Sequence, residues 1–231
     1  AHFPVCQLCS GKCISILARS RPISDSHPNL RLYITQNSPY ARLARIIVLE
    51  KGLENKVEQI VAQTRSINSP YYEINPSGRV PCLVLPDGVR LEESQLVCSY
   101  LDNLDNAPRF EAPEGDNGFH IRRLEAMARS LADGVSVWIR EGFRPQQERS
   151  PGVIAHERNR AARLIEAWEK EVTHPVMGGE LSNMAQMTLI AALHLERWNP
   201  DFEWRDGHPN LVNWAEPLAG RPSIRDTMPV G

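Results

Sequence analysis

The chain has 231 residues, 42% of them hydrophobic and 23% charged, which allows one large or two modest domains with a real core. Its 26 Lys and Arg stand against 28 Asp and Glu, a net charge of −2, with the two signs interspersed. That balance argues against nucleic acid or an anionic membrane as a partner, and no apolar run approaches the roughly 20 residues a spanning helix needs.

Residues 1–29 read as an extension outside the fold. They hold Cys6, Cys9 and Cys13 at close spacing. Such thiolates suit zinc, but only His2 or His27 stands near enough in sequence to complete a ligand set, so no metal is expected. The apolar stretch Cys13–Ala18 is too short and too polar for a signal peptide. Cys82 and Cys98 fall in a predicted strand and a predicted helix, without a secreted-type framework. A reducing, cytoplasmic compartment is the economical reading.

Leu30, Leu32 and Ile34 alternate with Arg31, Tyr33 and Thr35, the period of a strand. Ser38 suits a helix N-cap, and Pro39 suits the first helical position. Tyr40, Ala44, Ile47 and Val48 then share one face, and Gly52 closes the helix. Val57–Val61 reads as a second strand, and residues 62–73 as irregular or weakly helical. A hairpin runs from Val80–Leu85 through Pro86-Asp87-Gly88 to Val89–Leu91. A helix over Ser94–Leu104 turns Val97, Leu101 and Leu104 inward. The order is that of a thioredoxin-like α/β domain, residues 30–105. Residues 106–117, rich in Pro, Gly and acids, read as a linker. Residues 118–231 read as an all-α domain. Leu124, Ala128, Leu131, Val135 and Trp138 mark its first helix, and Ile154 to Val172 its second. Met184 to Trp198 mark a third, and Leu211, Trp214 and Leu218 a last. The third opens with Asn183-x-x-Gln186, a capping-box variant in which Gln186 is expected to reach back to the cap N–H.

One run carries the most chemistry. The turn Asn75-Pro76-Ser77-Gly78 leads into Arg79-Val80-Pro81. Proline cannot donate to a ladder and belongs at a strand start or edge, which leaves the Val80 N–H and C=O free for an extended ligand. Pro81 is a candidate cis proline. Twelve residues on, Glu93-Ser94 stands at a helix start, where exposed N–H groups bind carboxylates. A strand edge beside a helix start points to a small acidic peptide as ligand.

Three segments in order, Ser38-Pro39-Tyr40-Ala41-Arg42, Asn75-Pro76-x-Gly78-x-Val80-Pro81 and Glu93-Ser94-x-x-x-Cys98-x-Tyr100-Leu101, precede an all-helical half. With them the chain, from Leu30 to Pro229, closely resembles the soluble glutathione transferase family, its bacterial branch in particular. The resemblance implies glutathione as co-substrate with no bound cofactor, a small electrophile as second substrate, and a homodimer. Val80 is then the backbone partner of the cysteinyl moiety. Ser94 suits the γ-glutamyl carboxylate and Glu93 the ammonium. Arg79 either reaches the glycyl carboxylate or faces solvent, and residues 64–71 are alternatives.

Conjugation needs a thiolate, and a free thiol with a pKa of about 8.5 is mostly protonated at neutral pH. A hydroxyl at the positive end of a helix favours the anion. Ser38 stands at such a place, and it is equally well placed as a plain cap. Thr35 and Asn37 are alternative donors. The segment Ser38-Pro39-Tyr40-Ala41 has no thiol where a C-x-x-C enzyme needs one, which excludes dithiol exchange. Cys82 reads as a buried thiol. Tyr40 and Trp138 are candidates for the second-substrate wall, Trp138 equally for the core. The histidines show no paired metal spacing. The expected activity is conjugation of glutathione to an electrophile. The alternatives are a glutathione-dependent peroxidase, dehalogenase or ether-cleaving enzyme, or a non-catalytic binder on the same fold.

Overall fold

The computed structural model describes residues 30–230. Cys6, Cys9, Cys13, His2 and His27, with the extension they belong to, lie outside the described residues. The elements in order are β1 (Leu30–Ile34), α1 (Pro39–Glu50), β2 (Val57–Val61), α2 (Tyr71–Ile74), β3 (Cys82–Val84), β4 (Arg90–Glu92) and α3 (Ser94–Asp102). The rest is helical: α4 (Asp116–Gly142), α5 (Pro151–Glu171), α6 (Met184–Leu193), α7 (Pro209–Ala219) and α8 (Pro222–Arg225), with short 3-10 turns between.

The four strands form one mixed sheet in the order β2-β1-β3-β4. β1 runs parallel to β2, Leu32 opposite Gln59, and antiparallel to β3, Leu32 opposite Leu83. Alternation sorts the side chains by face. Leu30, Leu32, Ile34 and Leu83 join the main core with α1 and α3, while Tyr33, Cys82 and Val84 pack on the other face with Tyr71.

The hairpin keeps the register of its sequence reading, Leu83 opposite Leu91 and Val84 opposite Arg90, and departs from it in the strand limits. Its strands are 82–84 and 90–92, so Val80 and Pro81 precede the strand, and Val89 falls in the turn. Proline has no N–H to give, so the ladder begins one residue later, with Cys82 opposite Glu92.

α3 stops at Asp102, not Leu104, because Asp102 gathers the returning chain. Its buried carboxylate accepts the N–H groups of Arg109, Phe110 and Glu111 at 2.8–3.1 Å. α4 then begins at Asp116, two residues before the expected start of the helical domain at 118. Its first turn lies so close to the preceding segment that a Cβ on Gly118 would meet the Pro113 carbonyl oxygen at 1.5 Å.

The helix expected over Met184–Trp198 ends at Leu193 and continues as a 3-10 turn. Asn183 caps it, accepting the Gln186 N–H at 3.0 Å. Gln186 does not reach the cap N–H. Its Oε1 accepts from Ser182 N–H one residue earlier, at 2.8 Å, and its Nε2 donates to the Met177 carbonyl at 3.1 Å. A fully buried amide satisfies donors and acceptor together, and the loop before the cap offers both kinds of partner.

α1 is tied to the chain's last helix by a buried guanidinium. Arg42 donates to the Ile224 carbonyl at 2.9 Å, to Thr227 Oγ1 at 3.2 Å and to His194 Nδ1 at 2.9 Å. Arginine only donates, so Nδ1 accepts and His194 carries its proton on Nε2. Burial, with Arg45 and Arg197 nearby, pushes the Arg42 guanidinium down to about 9, still charged at neutral pH. Burial and the same cation push His194 down to about 3. Arg221 adds a bidentate pair to Glu50 of α1 at 2.5 and 2.7 Å. No helix among the described residues is long and apolar enough to cross a membrane.

Candidate functional site

Sheet register brings the three marked segments to one place. β3 is antiparallel to both neighbours, with Tyr33 and Glu92 opposite Cys82. Thr35 follows β1, Val80-Pro81 precedes β3 and Glu93-Ser94 follows β4, all at this one end of the sheet. The end of β1, the entry to β3 and the exit of β4 therefore converge.

On the first side, Ser38 caps α1 from an extended conformation, and its Oγ accepts the Ala41 N–H at 3.1 Å. Accepting leaves the hydroxyl proton free to be donated outward. Ser38 and Thr35 are half-buried, and Asn37 is exposed.

In the middle, the turn before Val80 is held from within. Asn75 Oδ1 accepts the Ser77 N–H at 3.2 Å, and its Nδ2 donates to the Arg79 carbonyl at 3.0 Å. The Tyr71 hydroxyl donates to that same carbonyl at 2.5 Å. Gly78 has φ +65, and a Cβ there would lie 2.7 Å from the Tyr72 ring. Only glycine combines that backbone with that approach. The Val80–Pro81 bond is cis. Val80 is half-buried, and neither its N–H nor its C=O has a backbone partner among the described residues. The Arg79 side chain is exposed.

On the far side, Glu93 is exposed with φ +74, a region that costs a non-glycine residue about 1–3 kcal/mol. The Ser94 side chain is buried, and its hydroxyl donates to Glu93 Oε1 at 3.0 Å. It accepts from Arg129 Nη1 at 2.9 Å. Arg129 is locked in turn by Glu125, whose Oε1 accepts its Nε and Nη2 at 2.9 and 2.7 Å.

Arg129 is absent from the sequence reading, because it lies 35 residues beyond Ser94 on another helix. A signal did exist. Glu125, Arg129, Asp133, Ser136 and Arg140 recur every three or four residues and form a polar stripe on an otherwise core-facing helix. Tyr40 meets this stripe, its hydroxyl donating to the Asp133 carboxylate. Burial, and then Asp133, raises the Tyr40 pKa, so the phenol stays protonated.

Trp138 does not join Tyr40. It sits on the opposite face of α4 from the stripe, about 160° around the helix at about 100° per residue. It is 5% exposed, with the Arg158 guanidinium 5.4 Å over its ring. Trp138 is core packing. Cys82 and Cys98 are buried, and burial raises both thiol pKa values. Among the described residues no three His, Cys, Asp or Glu side chains gather as a metal site.

This geometry has counterparts among known proteins. The glutathione S-transferase N-terminal domain matches residues 37–104. A GST-like protein of Escherichia coli K12, YibF, itself uncharacterized, is 26% identical, covering 87% of this chain and 98% of its own. A Methylobacillus flagellatus glutathione S-transferase solved with glutathione bound is 26% identical with a TM-score of 0.77, covering 87% of this chain and all of its own. A Pseudomonas fluorescens family member solved with S-(propanoic acid)-glutathione has the same identity, TM-score and coverage. Residues 37–104 thus match that family's N-terminal domain, and the fold of the described residues is the glutathione transferase fold.

Proposed function

We propose that this protein binds glutathione and transfers it to a small electrophile. The observation that carries the reading is the unpaired backbone of Val80, which enters β3 at the end of the sheet where β4 runs out into Glu93 and Ser94. An extended peptide pairs with Val80 through its cysteinyl backbone. Its γ-glutamyl carboxylate meets Ser94 and the amides opening α3, with the Arg129 charge behind them. Its ammonium meets Glu93. Arg79 is the cation nearest to the glycyl end in sequence.

That pose brings the sulfur toward the start of α1. The Ser38 proton, unused by the cap, donates to the thiolate, and the α1 amides add the positive end of a helix dipole. The thiolate attacks an electrophilic carbon. The S–C bond forms, and the leaving group departs with its bonding pair. The second substrate approaches past Tyr40, between residues 30–105 and the helical residues 118–231. The Pseudomonas relative, whose bound glutathione bears a substituent on sulfur, supports this view of the sulfur end. A homodimer completes the reading, and sedimentation of the purified chain checks it.

The test has two stages. Titration calorimetry with glutathione gives saturable binding, and Ser94→Ala weakens it. Turnover of a generic aryl halide with glutathione then separates a transferase from a binder on the same fold. Binding without turnover across a panel of halides, peroxides and aryl ethers overturns the enzymatic reading. Absence of binding overturns the whole.

A further inference from the structure

The Val80 N–H shares its peptide bond with the Arg79 carbonyl, and that carbonyl is held from inside the fold. We propose that Tyr71 is a positioning residue for glutathione. Its hydroxyl keeps the Arg79 carbonyl turned inward, and so keeps the Val80 N–H turned toward the cysteinyl carbonyl of the ligand. This rests on the glutathione reading above and adds to it a residue buried away from the bound peptide.

A peptide unit is planar, and in a trans unit the C=O and the following N–H point in opposite directions. The Arg79–Val80 unit is trans. Its carbonyl accepts from the Tyr71 hydroxyl at 2.5 Å and from Asn75 Nδ2 at 3.0 Å. Both donors are interior groups, Tyr71 3% and Asn75 4% exposed. Tyr71 packs with Tyr33 and Cys82 on the sheet face away from α1 and α3. The carbonyl is therefore drawn to that face, and the Val80 N–H is aimed to the face that carries α1 and α3. The starts of those two helices hold Ser38 and Ser94, between which the reading above lays the peptide.

The phenol is set before any ligand arrives. Its ring centroid lies 5.5 Å from that of Tyr33 on β1. Ser69 Oγ accepts the Tyr71 N–H at 3.2 Å and donates to the Gln63 carbonyl at 2.5 Å. Burial raises the Tyr71 pKa, so the hydroxyl keeps the proton it donates. Rotation of the Arg79–Val80 unit breaks both bonds to the carbonyl and turns the N–H away from the ligand. With the Tyr71 bond gone, only the Asn75 bond opposes that rotation. The apparent affinity then falls with the fraction of molecules that still present the N–H.

Two ligands isolate this contact. γ-Glutamylcysteine amide carries the cysteinyl carbonyl, γ-glutamylcysteamine lacks that carboxamide, and both end uncharged. Calorimetry on the wild type gives about tenfold tighter binding of the amide, the scale of one hydrogen bond. Tyr71→Phe weakens the amide and glutathione alike by about fivefold and leaves γ-glutamylcysteamine within about twofold of its wild-type affinity. The preference for the amide thus shrinks to about twofold to fourfold. Phenylalanine keeps the ring beside Tyr33, Asn75 still donates to the Arg79 carbonyl, and a melting curve verifies that the variant is folded. A residue that serves the fold alone weakens both ligands by the same factor, and that result overturns the proposal. So does a wild type that binds the two ligands equally, or a variant that binds all three ligands as the wild type does. Failure of glutathione itself to bind the wild type is a different result, which removes the glutathione reading along with this one.

Discussion

Arg129 donates to the Ser94 hydroxyl at 2.9 Å while Glu125 holds the rest of its guanidinium. The long helix of the second half thus places a cation behind the first turn of α3. Helix dipole, serine and guanidinium all favour negative charge at one spot. The site is built from residues on both sides of residues 106–117.

Arg129→Met removes that charge and leaves the nearly buried Glu125 without its partner. Breaking such a pair costs about 3–5 kcal/mol, much of it from the stranded charge. Arg129→Met with Glu125→Leu relieves the stranded carboxylate and recovers much of the stability. Neither variant recovers glutathione affinity. Urea unfolding and calorimetry on the two variants check both halves of this statement. A double variant as unstable as the single one contradicts it.

Glu93 holds a backbone conformation that favours glycine. Glu93→Gly relieves it, and Glu93→Ala does not, although both lose the carboxylate. Glu93→Gly is therefore more stable than Glu93→Ala by about 1 kcal/mol. Both bind glutathione less tightly than the wild type. Equal melting temperatures for the two variants count against strain at this residue.

His194 makes the fold sensitive to acid. Its folded pKa is about 3, against about 6.5 in an unfolded chain. Between those values the unfolded chain binds one more proton, so stability rises with pH and is lost as pH falls below about 6.5. By about pH 5 the loss from this residue is about 2 kcal/mol. His194→Gln keeps an acceptor for Arg42 and has no such titration. The wild type therefore loses about 2 kcal/mol more than His194→Gln between about pH 7 and about pH 5. Parallel losses in urea unfolding at the two pH values contradict the assignment.

Local chemistry made much of the fold legible. Ser38-Pro39 names a helix start, the alternation of Leu30–Ile34 names a strand, and Asn183 names a cap, each because the deciding atoms lie within a few residues. What was misread depended on pairing and on distant partners. The first hairpin strand starts at Cys82 and not at Val80, because Pro81 has no N–H to give the ladder, and the second runs on to Glu92. α3 ended early because Asp102 captured amides seven to nine residues on. Arg129 escaped notice because no motif of the first half contains it. Tyr40 and Trp138 looked alike as aromatic residues, and only the rotation of α4 separates the polar stripe that Tyr40 meets from the core face that holds Trp138.

The role of Ser38 as donor to the glutathione thiolate is tested most directly by ultraviolet titration of the bound thiolate in wild type and Ser38→Ala. A hydrogen bond to a charged group contributes about 1.5–3 kcal/mol, and one pKa unit corresponds to about 1.36 kcal/mol. Ser38→Ala should raise the thiol pKa by about one to two units and cut turnover at neutral pH, with part of the rate restored as the pH is raised. A serine that serves only as the cap of α1 predicts about 1 kcal/mol of lost folding stability and the same thiol pKa in both proteins. Equal pKa values would contradict the account and move the donor to Thr35, Asn37 or a backbone N–H of α1.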